Sequence, residues 1–442
     1  MMKETILLRN KSIIKEALNV DDFAIELIDG EINRLNGLTL NARHPFLFYS
    51  LLSLLTNIIF PIKGLKRSVR SCNDDFIFVS CPDSYFRTKT IDMIAGNLKY
   101  TIIYIPTFHI YSALRYYKFF KRTVINVYFP TIKFWYVLKA HRKIKKLFKS
   151  MEGIDSSMES LKTRSVLSSY LIYDYVAKDY ISKVQSFSGK WVLEHQKFFF
   201  LPSVARLHAI GGKTVMLQHG VFFKPYYDFI PLVCDEVLCC SERERHIYIE
   251  NGVKPESVIT FGAPLQSLAP SPNNIGTTRH NETPYRLLIA MPLIDEKTQG
   301  LMQAMLEFIK CNYEGVLVRL RPRSREKDIE MLKKYLDGFV ISEVGSTLFE
   351  DIEKCDKVIS CSADANYDIM KSHKQFLYVR FDKEQPFVRQ LNCVTEDNYK
   401  EEIRKLMESD YYSTFVEEQY KEIFGETDID ILRERFVKYI KE

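Results

Sequence analysis

The chain reads as an α/β protein built from two doubly wound parallel-sheet units. Three observations predict this. Short β-rich runs alternate with amphipathic helical patterns along most of the 442 residues. The alternation stops once, from Leu265 to Pro284, where proline, asparagine, threonine and glycine dominate, and then restarts. The chain is also too long for one ordinary core, which makes two domains the natural division.

The elements follow in order. FIFVS (Phe76 to Ser80), TIIYI (Thr101 to Ile105) and TVINVYF (Thr123 to Phe129) read as strands, with a helical stretch after Arg87. An amphipathic helix is expected from about Ser156 to Gln185. KWVLEH (Lys190 to His195), TVML (Thr214 to Leu217), EVLCC (Glu236 to Cys240) and SVITF (Ser257 to Phe261) follow at α/β spacing. The helix between the last two is well punctuated. Ser241 caps its start, Glu244 three residues on completes a capping box, and Asn251–Gly252 closes it.

Beyond the break come RLLIA (Arg286 to Ala290), a helix near Gln299 to Ile309, and VLVRL (Val316 to Leu320). A helix from Arg325 to Leu336 leads to GFVIS (Gly338 to Ser342), KVISC (Lys357 to Cys361) and FLYVRF (Phe376 to Phe381). The expected division is a first domain over 1–268, a linker over 269–284 and a second domain over 285–442. The tail beyond Asp397 is helical and charged, placed to pack back across the domains.

Composition excludes several classes. Apolar content of 46% and charged content of 27% fit a globular chain. The nine cysteines are odd in number, without CxxC or a framework spacing, as expected of buried, reduced thiols. No P-loop, GxGxxG, GxSxG elbow or zinc-ligand spacing is present. The N-terminus has charges among its apolar residues and does not read as a signal peptide. His44 to Gly64 is apolar but broken by Ser50, Ser53, Thr56 and Asn57 and ended by Pro61. It reads as a buried or membrane-surface helix, not a span.

The net charge of +6 is unevenly spread. From Met93 to Met151 there is no Asp or Glu, while twelve Lys and Arg are interleaved with aromatics such as Tyr116, Phe134 and Trp135. Such a face suits anionic lipid headgroups or an anionic lipid-linked acceptor. Nucleic acid is the rival partner, placed second, and a plain solvated basic face is the simplest account.

Candidate chemistry gathers at strand ends, where open α/β sheets bind ligands. TVML runs into Gln218, His219 and Gly220. A neutral imidazole there takes a hydroxyl proton and a charged one stabilises a leaving phosphate. Gln218 orients it or contacts substrate, and Gly220 permits a turn no Cβ would tolerate. Glu194 and His195 end the strand just upstream; if it lies parallel to TVML, the Glu194 carboxylate is the alternative general base, and a plain surface carboxylate is the simpler account. Arg321 and Arg323 follow VLVRL, and guanidinium groups grip phosphate oxygens. Ser360 and Ser362 precede a helix whose start suits an anion, and Asp368 lies one turn in, within reach of ribose hydroxyls. Helix capping alone also explains the serines.

Taken in order, KTVMLQHG, the SERER…ENGV…ITFGAP unit, VRLRPR and FEDIEKCDKVISCSA resemble the bacterial surface-polysaccharide glycosyltransferases of GT-B fold. That group includes capsule-synthesis and polysialyltransferase-like enzymes and CDP-glycerol glycerophosphotransferases. The matching segments run from about Lys190 to Arg380. The resemblance implies two Rossmann-like domains facing a central cleft, with a nucleotide-activated donor held mainly by the second. It puts Arg321 and Arg323 on the donor phosphates, Ser360 and Ser362 beside phosphate or nucleotide, and Asp368 near ribose. His219, Gln218, Gly220, Gly262 and Pro264 would line the cleft. Two departures stand out: Pro322-Arg323 replaces the Pro-His common in such enzymes, and Asp368 stands where they often carry Glu.

The expectation is therefore a metal-independent glycosyltransferase without a cofactor, its nucleotide sugar serving as donor substrate. It would act on a glycan or lipid-linked acceptor at the cytoplasmic face of the cell membrane, touching an anionic membrane surface. A polyol-phosphate transferase, a nucleotide-sugar epimerase and a non-catalytic polysaccharide-assembly protein are the alternatives.

Overall fold

The computed structural model describes residues 9–18, 25, 28, 50, 53, 54, 57, 73–81, 85–105, 126–151, 158–184, 187–194, 199–218, 232–264, 284–292, 294, 298–321, 325–361, 369, 372, 374–379 and 393–442. Among the described residues, helix α1 (Lys11–Leu18) comes first. Strands β1 (Phe76–Ser80) and β2 (Tyr100–Tyr104) flank α2 (Tyr85–Ala95), followed by β3 (Asn126–Tyr128). Helices α3 (Phe134–Ser150) and α4 (Met158–Ser182) precede β4 (Lys190–Leu193), α5 (Leu201–His208), β5 (Thr214–Leu217), β6 (Glu236–Cys239), α6 (Glu242–Glu250) and β7 (Val258–Thr260).

These seven strands form one wholly parallel sheet in the order β3-β2-β1-β4-β5-β6-β7. Every residue of β1, β2 and β5 is buried. Continuous apolar runs suit strands covered by helices on both faces.

The second unit holds β8 (Tyr285–Ala290), α7 (Gln299–Asn312), β9 (Val316–Arg319), α8 (Arg325–Leu336), β10 (Val340–Ile341), α9 (Leu348–Glu353), β11 (Cys355–Ser360), β12 (Gln375–Val379) and β13 (Cys393–Val394). Its sheet is also parallel, in the order β10-β9-β8-β11-β12-β13. The two orders follow one pattern, strand three outermost and the reversal beside the first strand, which is the doubly wound arrangement. The α/β reading holds. The short edge strand β13 was not foreseen, because two residues carry no periodicity to read. The segment 265–283, with the linker expected at 269–284, lies outside the described residues apart from Pro284.

The C-terminal tail forms α10 (Tyr399–Glu408), α11 (Ser413–Phe424) and α12 (Ile429–Lys441). It starts on one sheet and ends on the other. Helix α10 packs against β12 of the second sheet, α11 against α6, and α12 against α2 of the first. Leu432, Phe436 and Ile440 recur every four residues and face the first core. The Phe436 ring meets Phe76 edge-on at 5.3 Å and Phe261 at 6.1 Å. Arg433 Nε donates to the Met93 carbonyl at 3.0 Å, and an Arg435 Nη donates to the Phe261 carbonyl at 2.8 Å.

Two glycines admit this return. Gly262 has φ +127°, and a Cβ there would lie 2.5 Å from both the Glu426 carbonyl oxygen and Leu432 Cδ2. Gly425 has φ +60°, and its Cβ would lie 2.5 Å from the Cys240 carbonyl oxygen. The Ala263 amide donates to the Glu426 carbonyl at 2.8 Å. Gly262, expected to line a cleft, packs against the chain's own tail.

Candidate functional site

Strand order reverses between β1 and β4 in the first sheet and between β8 and β11 in the second. Such switch points leave a crevice at the strand carboxyl ends. At the first, β1 ends in Ser80 followed by Cys81, and β4 is followed by Glu194. The Glu194 amide donates to the Val79 carbonyl at 3.1 Å, which fixes its backbone at the end of the ladder. Its carboxylate is 1% exposed. The Ser80 hydroxyl donates to one oxygen, and the Cys81 thiol donates to the other at 3.0 Å. A buried carboxylate needs such donors, because leaving it unpaired costs several kcal/mol, on the order of the desolvation penalty of an ion. Glu194 thus sits at the switch point, held from β1 by one hydroxyl and one thiol.

A second carboxylate lies two strands along. Gln218 ends β5 fully buried, its amide donating to the Leu238 carbonyl at 3.0 Å. Its side-chain Nε2 donates to Glu244 at 3.0 Å, and an Arg243 Nη donates to the other Glu244 oxygen at 3.0 Å. Glu244 is itself fully buried. This corrects the capping box expected at Ser241. The Ser241 hydroxyl does accept the Glu244 amide proton, at 3.4 Å, but the Glu244 carboxylate turns into the core and does not reach back to the cap. Gln218 and Arg243 offer it charge-assisted partners that the N-cap amide cannot match. Among the described residues a reciprocal box does form at Thr347. The Thr347 amide donates to Glu350 at 2.7 Å, and the Glu350 amide donates to the Thr347 hydroxyl at 3.2 Å.

The thiols around this cluster are not nucleophiles. Burial, with Glu244 adding, pushes the Cys239 thiol up to about 12, and burial raises Cys240 well above the ordinary thiol range. Both stay protonated near neutral pH.

In the second sheet, Ser360 ends β11 at the switch point, fully buried between Ala290 of β8 and Tyr378 of β12. Arg319 ends β9 but turns to Asp351 of α9, which is 1% exposed. One Arg319 Nη donates to that carboxylate and to the Ser346 hydroxyl at 3.1 Å; the other donates to the Ser346 carbonyl at 3.0 Å. The Ser342 hydroxyl donates to the same carboxylate oxygen at 2.7 Å. This network pins the loop from Ser342 to Thr347 to the strand end. Arg321, two residues on, is exposed. The first arginine of RLRPR is thus spent on structure, while Arg321 stays exposed.

The remaining expected site residues divide simply. Pro264 is buried just past β7. His219, Gly220, Arg323, Ser362 and Asp368 lie outside the described residues. The structure brings Glu194 and Gln218 to adjacent strand ends, since Leu193 of β4 pairs with Met216 of β5. Reading the sequence missed Ser80, Cys81 and Glu244. Ser80 and Cys81 end a buried strand, and that position was the available signal. Glu244 carried the misleading signal of a cap.

No protein-family model matches the chain, and no curated protein does either. Solved structures do. UDP-GlcNAc 2-epimerase from Neisseria meningitidis, bound to UDP-GlcNAc, aligns over 83% of this chain and 99% of its own, with a TM-score of 0.53 and 12% identity. UDP-GlcNAc 2-epimerase from Methanocaldococcus jannaschii aligns over 83% and 99%, with a TM-score of 0.50 and 11% identity. A TarM variant of S. aureus, in complex with fondaparinux, alpha-GlcNAc-glycerol and UDP, aligns over 83% and 100%, with a TM-score of 0.50 and 8% identity. At such identity the likeness fixes the fold: two parallel α/β sheets in a GT-B-like arrangement.

Proposed function

We propose that this protein is a nucleotide-sugar transferase that moves a sugar to a cell-surface glycan or glycolipid acceptor at the inner face of the membrane. The observation that carries the reading is the pair of buried polar residues at the switch points, Glu194 in the first sheet and Ser360 in the second. Two of the solved structures of like fold hold UDP-GlcNAc or UDP, which supports a nucleotide-linked donor.

In this reading Arg321 and Arg323 hold the donor phosphates, Ser360 and Ser362 lie beside them, and Asp368 meets ribose. Glu194 or His219 takes the proton of the acceptor hydroxyl. The acceptor oxygen bonds to the anomeric carbon as the bond to phosphate breaks, and the nucleotide leaves with the electron pair. The arginines and helix N-termini carry its charge.

A second reading is a nucleotide-sugar epimerase, favoured by the printed activity of two of the like structures. It needs no acceptor and leaves the basic face of α3 without a role. The test is a thermal-shift series with UDP, CMP, CDP, GDP and ADP, followed by NMR of the matching nucleotide sugar. Stabilisation by one nucleotide, weakened at least tenfold in Arg321→Ala, supports the donor site. A change of sugar configuration without acceptor selects the epimerase. Indifference of the folded protein to every nucleotide would sink both readings.

A further inference from the structure

We infer that the exposed face of α3, together with the helical residue Leu54, is a docking surface for an anionic phospholipid bilayer. Helix α3 has two unlike faces. Val137, Ala140, Ile144, Leu147 and Phe148 are buried against the first core, where α3 packs on α4 and α1. Trp135, Lys139, Arg142, Lys146 and Lys149 fall at i, i+4, i+7, i+11 and i+14, which is one stripe of an α-helix, and all five are exposed. Lys143 and Lys145 flank the stripe and are exposed too, and the helix contains no acidic residue. The stripe runs the length of the helix, about 25 Å.

The head of the stripe is apolar. Trp135 is 59% exposed and Phe134 is 51% exposed. A distant segment joins them. The Ser53 hydroxyl donates to the Ile132 carbonyl at 2.6 Å, and Asn57 Nδ2 donates to the same carbonyl at 2.8 Å. Ile132 lies two residues before α3, so these bonds seat Ser53 at the start of that helix, and its chain neighbour Leu54 is 55% exposed. Lys133 is not part of the surface, being paired with Asp179 at 2.7 Å.

Cations in a row with an apolar cluster at one end match a bilayer surface on both counts. Phosphate headgroups take the Lys and Arg, and the acyl boundary takes Trp135, Phe134 and Leu54. A polyanion in water would meet the same cations and stack on Trp135, but it gives the aliphatic Leu54 nothing to enter. The occupant is therefore lipid, with the helix lying flat in the interface.

The inference rests on the reading above only for placing the protein at a membrane, and the measurement keeps the two apart. Full-length protein, without nucleotide, is mixed with vesicles of phosphatidylcholine alone or with roughly one third phosphatidylglycerol. The chain has two tryptophans, and the other, Trp191, is 1% exposed, so a change in emission reports Trp135. A blue shift and co-flotation with the anionic vesicles only, weakening as salt rises, are expected. Lys146→Gln with Lys149→Gln should reduce partitioning by about thirtyfold. Trp135→Phe should abolish the emission change while co-flotation persists. These positions are exposed, and unchanged thermal melting of each variant confirms that it folds. No partitioning at low salt, or equal partitioning onto neutral vesicles, overturns the inference. So does an oligonucleotide that shifts Trp135 where anionic vesicles do not. Vesicle binding without any nucleotide binding upholds the surface and removes the proposed activity; nucleotide binding without vesicle binding does the reverse.

Discussion

Gly262→Ala should loosen the C-terminal helix α12 from the first sheet without unfolding either sheet. Two costs add. An L-residue at φ +127° is held in a sparsely populated region, at about 1–3 kcal/mol. The new Cβ would then lie 2.5 Å from the Glu426 carbonyl oxygen and 2.5 Å from Leu432 Cδ2. That carbonyl cannot swing away cheaply, because it accepts the Ala263 amide proton at 2.8 Å. Losing that bond costs a further ~1 kcal/mol. The sum of about 3 kcal/mol raises the tail-open population roughly a hundredfold. Hydrogen exchange of the α12 amides reads it directly, with β5 amides as the internal reference. Gly252→Ala is the control. Gly252 has φ +88° with nothing within 4 Å of its would-be Cβ, so it carries the backbone cost without the clash. Exchange in α12 that stays within about threefold of the parent, or that rises equally in the control, would refute the account of Gly262 as the seat of the tail.

Asp351→Ala should destabilise the second unit by about 3 kcal/mol, since it strands the Arg319 guanidinium in a largely buried site. Urea unfolding followed in that unit checks it, Arg319→Met with Asp351→Leu should recover most of the loss, and a loss under about 1 kcal/mol would show the network to be idle. Asp179 gives a pH signature. Burial raises its pKa, but hydrogen bonds from Lys133 and Lys183 outweigh burial and hold it below the ordinary carboxylate value. A depressed carboxylate contributes stability above its unfolded pKa of 3.8 and loses it as pH falls through the folded one. The Tm gap between the parent and Asp179→Asn should therefore be full near neutral pH and close as pH falls below about 4; a gap that does not close would contradict this.

The site was only partly legible in the sequence. Glu194 could be marked because a carboxylate at the end of an apolar strand is locally visible. Its partners Ser80 and Cys81 lie more than a hundred residues earlier, and only the pairing of β1 with β4 brings them to it. Glu244 shows the limit more sharply. SERE and TLFE carry the same spacing of hydroxyl and glutamate, and only the second forms a reciprocal cap. The first has Gln218 and Arg243 within reach, and no local pattern reports what stands across a core.

The sequence by itself determined the elements and their class, because burial on two faces and helical periodicity are written in neighbouring residues. It also determined the character of α3, whose cations, apolar positions and lack of acids lie within one helical run. Strand order, the two switch points and the crossing of the tail were decided by tertiary structure. These depend on contacts between residues far apart in the chain, whose free energy appears only when the pieces meet. Gly262 is the plainest case: the resemblance puts it in a cleft, and the tail residues that press on it, Glu426 and Leu432, come more than a hundred and fifty residues later.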